Sequence, residues 1–149
     1  MWTLNDSTAT AGLSTNCASQ EPLGPTCFGV FSTIVGTDGN DVITGTAGDD
    51  VIFGGLGNDV IDGRGGNDLI CGEEGEDELL GGDGHDVLLG GDDADTITGG
   101  DGDDAVRAGE GDDTITDDDP AHIDRDSIDG GAGVNACFVD PDDEEVACS

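Results

Sequence analysis

Ten aspartates of this chain fall in phase: Asp41, Asp50, Asp59, Asp68, Asp77, Asp86, Asp95, Asp104, Asp113 and Asp126. The first nine follow one another at intervals of nine residues, each behind a stretch such as GTDGN, GGLGN or GGDGH. A carboxylate supplies hard anionic oxygen, and a glycine turn leaves its backbone carbonyls uncovered by side chains. Oxygens of these two kinds, gathered in one place, repel one another and attract cations. Little in the chain could neutralise them otherwise, because Lys and Arg total 3 against 36 Asp and Glu.

That balance gives a formal net charge of −33 over 149 residues, a length that suits a single domain. Of the acids, 28 are Asp and 8 are Glu, a bias toward the one that favours tight turns. The charge and the 3% aromatic content are those of a disordered chain, yet short apolar runs are dispersed at even intervals. So acidic a surface excludes nucleic acid and anionic membrane as partners. No apolar run approaches ~18 residues, so no membrane insertion is expected. The first basic residue is Arg64 and residues 1–35 hold no continuous apolar core, so no secretory signal is visible.

The elements that must position the aspartates are legible from a nine-residue repeat. In register the copies read GTDGNDVIT (36–44), GTAGDDVIF, GGLGNDVID, GRGGNDLIC, GEEGEDELL, GGDGHDVLL, GGDDADTIT, GGDGDDAVR and AGEGDDTIT (108–116). DDDP (117–120) interrupts, AHIDRDSID follows, and GGAGVNACF (130–138) is the last copy. Positions one, two and four favour Gly, as a turn with positive φ requires. Position eight is a branched aliphatic in the ten copies that carry Asp at six, from Ile43 to Ile128. Positions seven to nine therefore read as a short strand with its central residue turned inward.

Such a strand cannot stand alone, and stacking buries the position-eight residues in one narrow core. The expected fold is all-β: a right-handed parallel β-roll with short terminal caps. Two nonapeptides form each coil, and strands two copies apart are neighbours in one sheet, ~4.8 Å apart. Aspartates eighteen residues apart then stack in one column of turns. The organisation expected is an N-terminal segment or cap at 1–35, the roll at 36–138 with its insertion at 117–120, and a capping tail at 139–149.

The pattern resembles the GGxGxDxUx nonapeptide of the RTX calcium-binding repeats. The ending GGAGVNACFVDPDDEEVACS is further similar to the tail of small secreted actinobacterial proteins of that type. The resemblance implies Ca²⁺ held between stacked turns by carbonyls and by the position-six Asp of each. Carried over, the pairs are Asp41/Asp59, Asp50/Asp68, Asp59/Asp77, Asp68/Asp86, Asp77/Asp95, Asp86/Asp104 and Asp95/Asp113. About seven ions are implied, up to about nine if Asp104/Asp126 and Asp113/Asn135 also serve, each ion taking six to eight oxygens. The first of those two extra pairs spans the insertion, and the second replaces a carboxylate with an amide. Asp93 in a glycine slot, and Glu73 with Glu74, are expected to weaken their columns.

Without ions, self-repulsion and glycine entropy exceed what a core one residue wide can offset. Folding coupled to calcium is the expectation. No EF-hand loop with its twelfth-position Glu is present, and no H-E-x-x-H, G-x-S-x-G or phosphate-loop motif points to an enzyme. His85 and His122 read as solvated turn residues.

Splitting the copies by parity separates two outer faces. The even copies present Val51/Phe53, Leu69/Cys71 and Val87/Leu89, an apolar patch the roll cannot bury itself. Residues 1–35, with Trp2, Leu4, Leu13, Leu23, Phe28 and Phe31, are expected to cross it; an unknown protein partner is the alternative. Cys137–Cys148 and Cys17–Cys27 are the favoured disulfides. That leaves Cys71 as the odd thiol, or as a bridge to the N-terminal segment. Disulfides and calcium together point to an extracellular setting.

Overall fold

The computed structural model of the chain describes residues 25–116, 125–139 and 143–148. Every described copy of the repeat contributes one strand, because the alternation at positions seven to nine leaves a single side chain to point inward. In chain order the strands are β1 (Thr26–Cys27), β2 (Val30–Phe31), β3 (Ile34–Val35), β4 (Val42–Thr44), β5 (Val51–Leu56), β6 (Val60–Gly65), β7 (Leu69–Glu74) and β8 (Glu78–Asp83). They continue with β9 (Val87–Asp92), β10 (Thr96–Asp101), β11 (Ala105–Glu110), β12 (Thr114–Thr116), β13 (Ser127–Asp129), β14 (Ala136–Phe138) and β15 (Glu144–Ala147). No helix occurs among the described residues, so none there could cross a membrane.

Two parallel sheets face each other. One runs β14-β12-β10-β8-β6-β4 and the other β15-β13-β11-β9-β7-β5-β3, so consecutive strands alternate between them. The register is the expected one, with Ile52 opposite Ile70, Ile70 opposite Leu88, and Ile61 opposite Leu79. Between the sheets lies one file of aliphatics: Ile43, Ile52, Ile61, Ile70, Leu79, Leu88, Ile97, Val106, Ile115 and Ile128. The chain is an all-β parallel solenoid.

Two features differ from the sequence pattern, and a third keeps to it. The central strands are six residues long because pairing continues through positions one to three of the next copy, as in Gly100–Gly82 and Asp101–Asp83. The second sheet starts at Ile34–Val35, paired with Ile52–Phe53, ahead of the first glycine turn. The insertion is absorbed between rungs: Val106 pairs with Ile128 in the register that Leu88 keeps with Val106. Residues 117–124, including the insertion and His122, lie outside the described residues.

The cysteines require a correction. Cys27 is bonded to Cys71, with Cα atoms 5.6 Å apart, and not to Cys17. Cys71 is thus the bridge to the N-terminal segment and not the odd thiol; Cys17 lies outside the described residues, as do Trp2, Leu4, Leu13 and Leu23. The physical reason is the small antiparallel hairpin of β1 and β2, whose turn at Phe28 and Gly29 has positive φ at both residues. It lays Cys27 over β5 and β7, where Cys71 faces outward. Cys71 is consequently 4% exposed, and Phe53, Leu69 and Leu89 are half-buried. At the other end Cys137–Cys148 forms as expected and fastens β14 to the residue after β15.

Candidate metal centre

The stacked strands place the ten aspartates in two columns, Asp41, Asp59, Asp77, Asp95 and Asp113 in one and Asp50, Asp68, Asp86, Asp104 and Asp126 in the other. Nine are buried; Asp41, in the first turn, is half-buried. From Asp59 and Asp68 onward, each carboxylate reaches back to the turn before it in its column. The N–H of Asp59 donates to Oδ1 of Asp77 at 2.8 Å, Asp68 to Asp86 at 2.7 Å, Asp77 to Asp95 at 2.9 Å and Asp95 to Asp113 at 2.9 Å. The ladder runs on through Asp104 to Asp126 at 2.8 Å and through Asp113 to Asn135 at 3.0 Å.

The second oxygen is different. Oδ2 of Asp59, Asp68, Asp77, Asp86, Asp95 and Asp113 is buried and has no hydrogen-bond partner. Leaving an ionised oxygen so costs several kcal/mol, on the order of a lost charged hydrogen bond or more. Burial accordingly pushes the carboxyls up, to about 7 for Asp95 and about 6 for Asp77 and Asp86. The N–H bonded to Oδ1 opposes this shift, and the Asp preceding in the column adds to it.

Backbone carbonyls complete the gap. In turn 81–86, Gly82 and Gly84 hold φ of 115° and 141°, and a Cβ on either would strike the carbonyl oxygen of Arg64 or Gly66 in the turn below. Those oxygens therefore point into the space between turns, and only glycine lets the next turn sit over them. At three of the departures from glycine the same backbone persists: Arg64, Glu73 and Asp93 have φ of 81°, 90° and 77°. Each holds the turn at a strain of about 1–3 kcal/mol rather than abolishing it.

Position five, to which the repeat assigned no role, forms a second ladder outside the first. Asn58 and Asn67 accept the N–H of Glu76 and His85 through Oδ1, and Asp103 and Asp112 accept from Arg125 and Val134. His85 is exposed, as expected of a turn residue, but its Nδ1 also accepts the N–H of Asp103 at 2.9 Å. The tail contributes too, since Asp143 Oδ1 receives the N–H of Asp126 at 3.4 Å. Asn or Asp in most position-five slots was the available signal for the outer ladder. Nothing in the sequence distinguished Asp143 from its acidic neighbours.

A family model for the RTX calcium-binding nonapeptide repeat (four copies) matches residues 33–61, 44–79 and 80–115, more than half of the chain. The chain belongs to the RTX calcium-binding nonapeptide repeat family. No curated protein and no solved structure matches it. The RTX turns described above fit a hard cation on their own chemistry. They offer only oxygen, and a buried anionic oxygen in each of six turns has no other partner. Among the described residues no three His, Cys, Asp or Glu side chains cluster as a metal site. An RTX gap needs none, because carbonyls supply the remaining oxygens that Ca²⁺ takes.

Proposed function

We propose that the chain is a non-catalytic β-roll that folds by binding several Ca²⁺ between its stacked turns, with the position-six aspartates as the charged ligands. The observation that supports this most is the row of buried Oδ2 atoms without partners. Seven divalent ions, one for each pair of stacked aspartates from Asp41/Asp59 to Asp95/Asp113, would bring the formal charge from −33 to −19. Asp104/Asp126 and Asp113/Asn135 keep the column geometry and are candidates for two more. In the last, Asn135 turns its Nδ2 to the carbonyl of Gly130 at 2.7 Å, so that turn is closed partly by an amide.

The role that follows is structural: an extracellular module, loose where calcium is scarce and ordered where it is abundant. The two disulfides of the described residues fit an oxidising compartment. Docking of a partner through Val51, Phe53, Leu69, Cys71, Val87 and Leu89 is disfavoured, because the Cys27 hairpin occupies part of that face. Far-UV circular dichroism of the full chain tests the reading. The β signal is expected with calcium and lost with EDTA, and a spectrum indifferent to EDTA overturns it.

A further inference from the structure

The gaps are not alike. In the two turns that start the columns, 36–41 and 45–50, position two is Thr rather than Gly, and the backbone there takes another course. The N–H of Thr37 donates to Oδ2 of Asp41, and that of Thr46 to Oδ2 of Asp50, each at 2.6 Å. Thr37 Oγ1 adds a second donor to Asp41 Oδ2 at 2.8 Å. The oxygens that stand unpartnered in Asp59, Asp68 and Asp77 are therefore already engaged in these two turns.

A second observation is independent of the side chains. Gly39 and Gly48, at position four, lack the positive φ of Gly57, Gly66, Gly75 and Gly84. Their peptides are turned accordingly. The atoms nearest to a Cβ on Gly57 and Gly66 include the amide nitrogens of Asn40 and Asp49 and no backbone carbonyl oxygen. One turn further on, the atoms nearest to a Cβ on Gly75 and Gly84 are the carbonyl oxygens of Gly57 and Gly66. Each opening gap thus loses a carbonyl donor and has amide hydrogen bonded to its carboxylate.

We infer that turns 36–41 and 45–50 are cation-free caps, and that ion binding begins in the gaps Asp59/Asp77 and Asp68/Asp86. This rests on the calcium reading above and departs from the pair-by-pair expectation by removing Asp41/Asp59 and Asp50/Asp68. A hydrogen-bond donor set against a carboxylate does there what an ion does further along: it satisfies the buried charge. The roll then has one end whose turns close without metal. The Cys27–Cys71 bond and the pairing of β3 with β5 lie at that same end.

Equilibrium dialysis of the full chain against radiolabelled calcium tests this by counting bound ions. Asp41→Asn/Asp50→Asn keeps an acceptor for the Thr donors and is expected to bind as many ions as the parent. Asp77→Asn/Asp86→Asn is expected to bind at least two fewer. A loss of ions in the first variant comparable with the second overturns the inference. A parent chain that binds no calcium overturns the calcium reading instead, so the two failures are told apart. Should the first variant not fold, Thr37→Gly/Thr46→Gly restores the glycine pair of the repeat. It gains bound ions if the caps are cation-free, and an unchanged count overturns the inference.

Discussion

Turns 45–50 and 81–86 follow one six-residue pattern, GTAGDD in the first and GGDGHD in the second, and resolve the same electrostatic problem in opposite ways. The first gives Asp50 Oδ2 a backbone donor at 2.6 Å and leaves nothing within 4 Å of a Cβ on Gly48. The second leaves Asp86 Oδ2 without a partner and packs Gly84 onto the carbonyl of Gly66. The turns differ at positions two, three and five; at position two Thr46 stands against Gly82, where a Cβ would meet the carbonyl of Arg64. A turn that satisfies its own carboxylate can stand at an edge. A turn that does not must borrow charge from between its neighbours.

The largest effect expected from disturbing this contrast is at the disulfide beside the self-closed end. The Cys27–Cys71 bond spans 44 residues and the Cys137–Cys148 bond 11. Loop-closure entropy assigns them about 4 and about 3 kcal/mol. Denaturant unfolding in calcium should therefore show Cys27→Ser/Cys71→Ser to be the more destabilised of the two double variants. A reversed order would mean that the N-terminal hairpin adds little to the roll.

Glycine substitutions sharpen the comparison directly. Gly100 has φ of 113°, and a Cβ there would strike the carbonyl of Gly82. Gly100→Ala should cost about 2–4 kcal/mol from backbone strain and overpacking. Gly48 lacks positive φ and has nothing within 4 Å of a Cβ, so Gly48→Ala should fall within about 0.5 kcal/mol of the parent. Thermal melts at fixed calcium read both. Equal losses would show that the two turn types are one.

This distinction was not legible in the sequence, although much else was. The nine-residue period set the strands, the inward file from Ile43 to Ile128 and the two columns of aspartates, because side-chain direction in a strand depends only on parity. Asp126 was legible beyond the insertion as well, and the pairing of Val106 with Ile128 keeps its register. A bridge from Cys71 to the N-terminal segment was one of two readings, but its partner Cys27 was hidden because the hairpin that brings it to the outer face carries none of the repeat. The Thr-closed turns were hidden for another reason. GTAGDD and GGDGHD both satisfy the repeat, and peptide orientation within a turn leaves no trace in residue period.

A gentler perturbation is pH in the absence of calcium. The carboxyls of Asp77, Asp86 and Asp95 stand at about 6, 6 and 7, above the ordinary 3.8, with burial as the first cause. The folded, ion-free chain thus binds more protons than the unfolded one between about pH 7 and 4, so its stability rises as pH falls through that window. Calcium affinity moves the other way, because protons and ions compete for the same oxygens. In EDTA the β signal should grow between pH 7.5 and 4.5. A signal that stays flat over this range would detach the buried carboxyls from the folding cost.

The smallest expected effect separates the outer ladder from the inner one. Asn67 is exposed and contributes one acceptor, Oδ1, to the N–H of His85 at 3.1 Å. Removing it in Asn67→Ala should cost about 0.5–1.5 kcal/mol, the net value of a hydrogen bond whose donor can turn to water. The count of bound calcium should not change, because no oxygen of Asn67 lies among the partnerless ones of the gap. Asp68→Asn, one residue along, removes a carboxylate whose Oδ2 is buried and unpartnered, and it should lower the ion count. Adjacent residues with opposite readouts would show that the outer ladder aligns the turns while the inner one holds the charge. If Asn67→Ala also loses ions, alignment and binding are a single function of the turn.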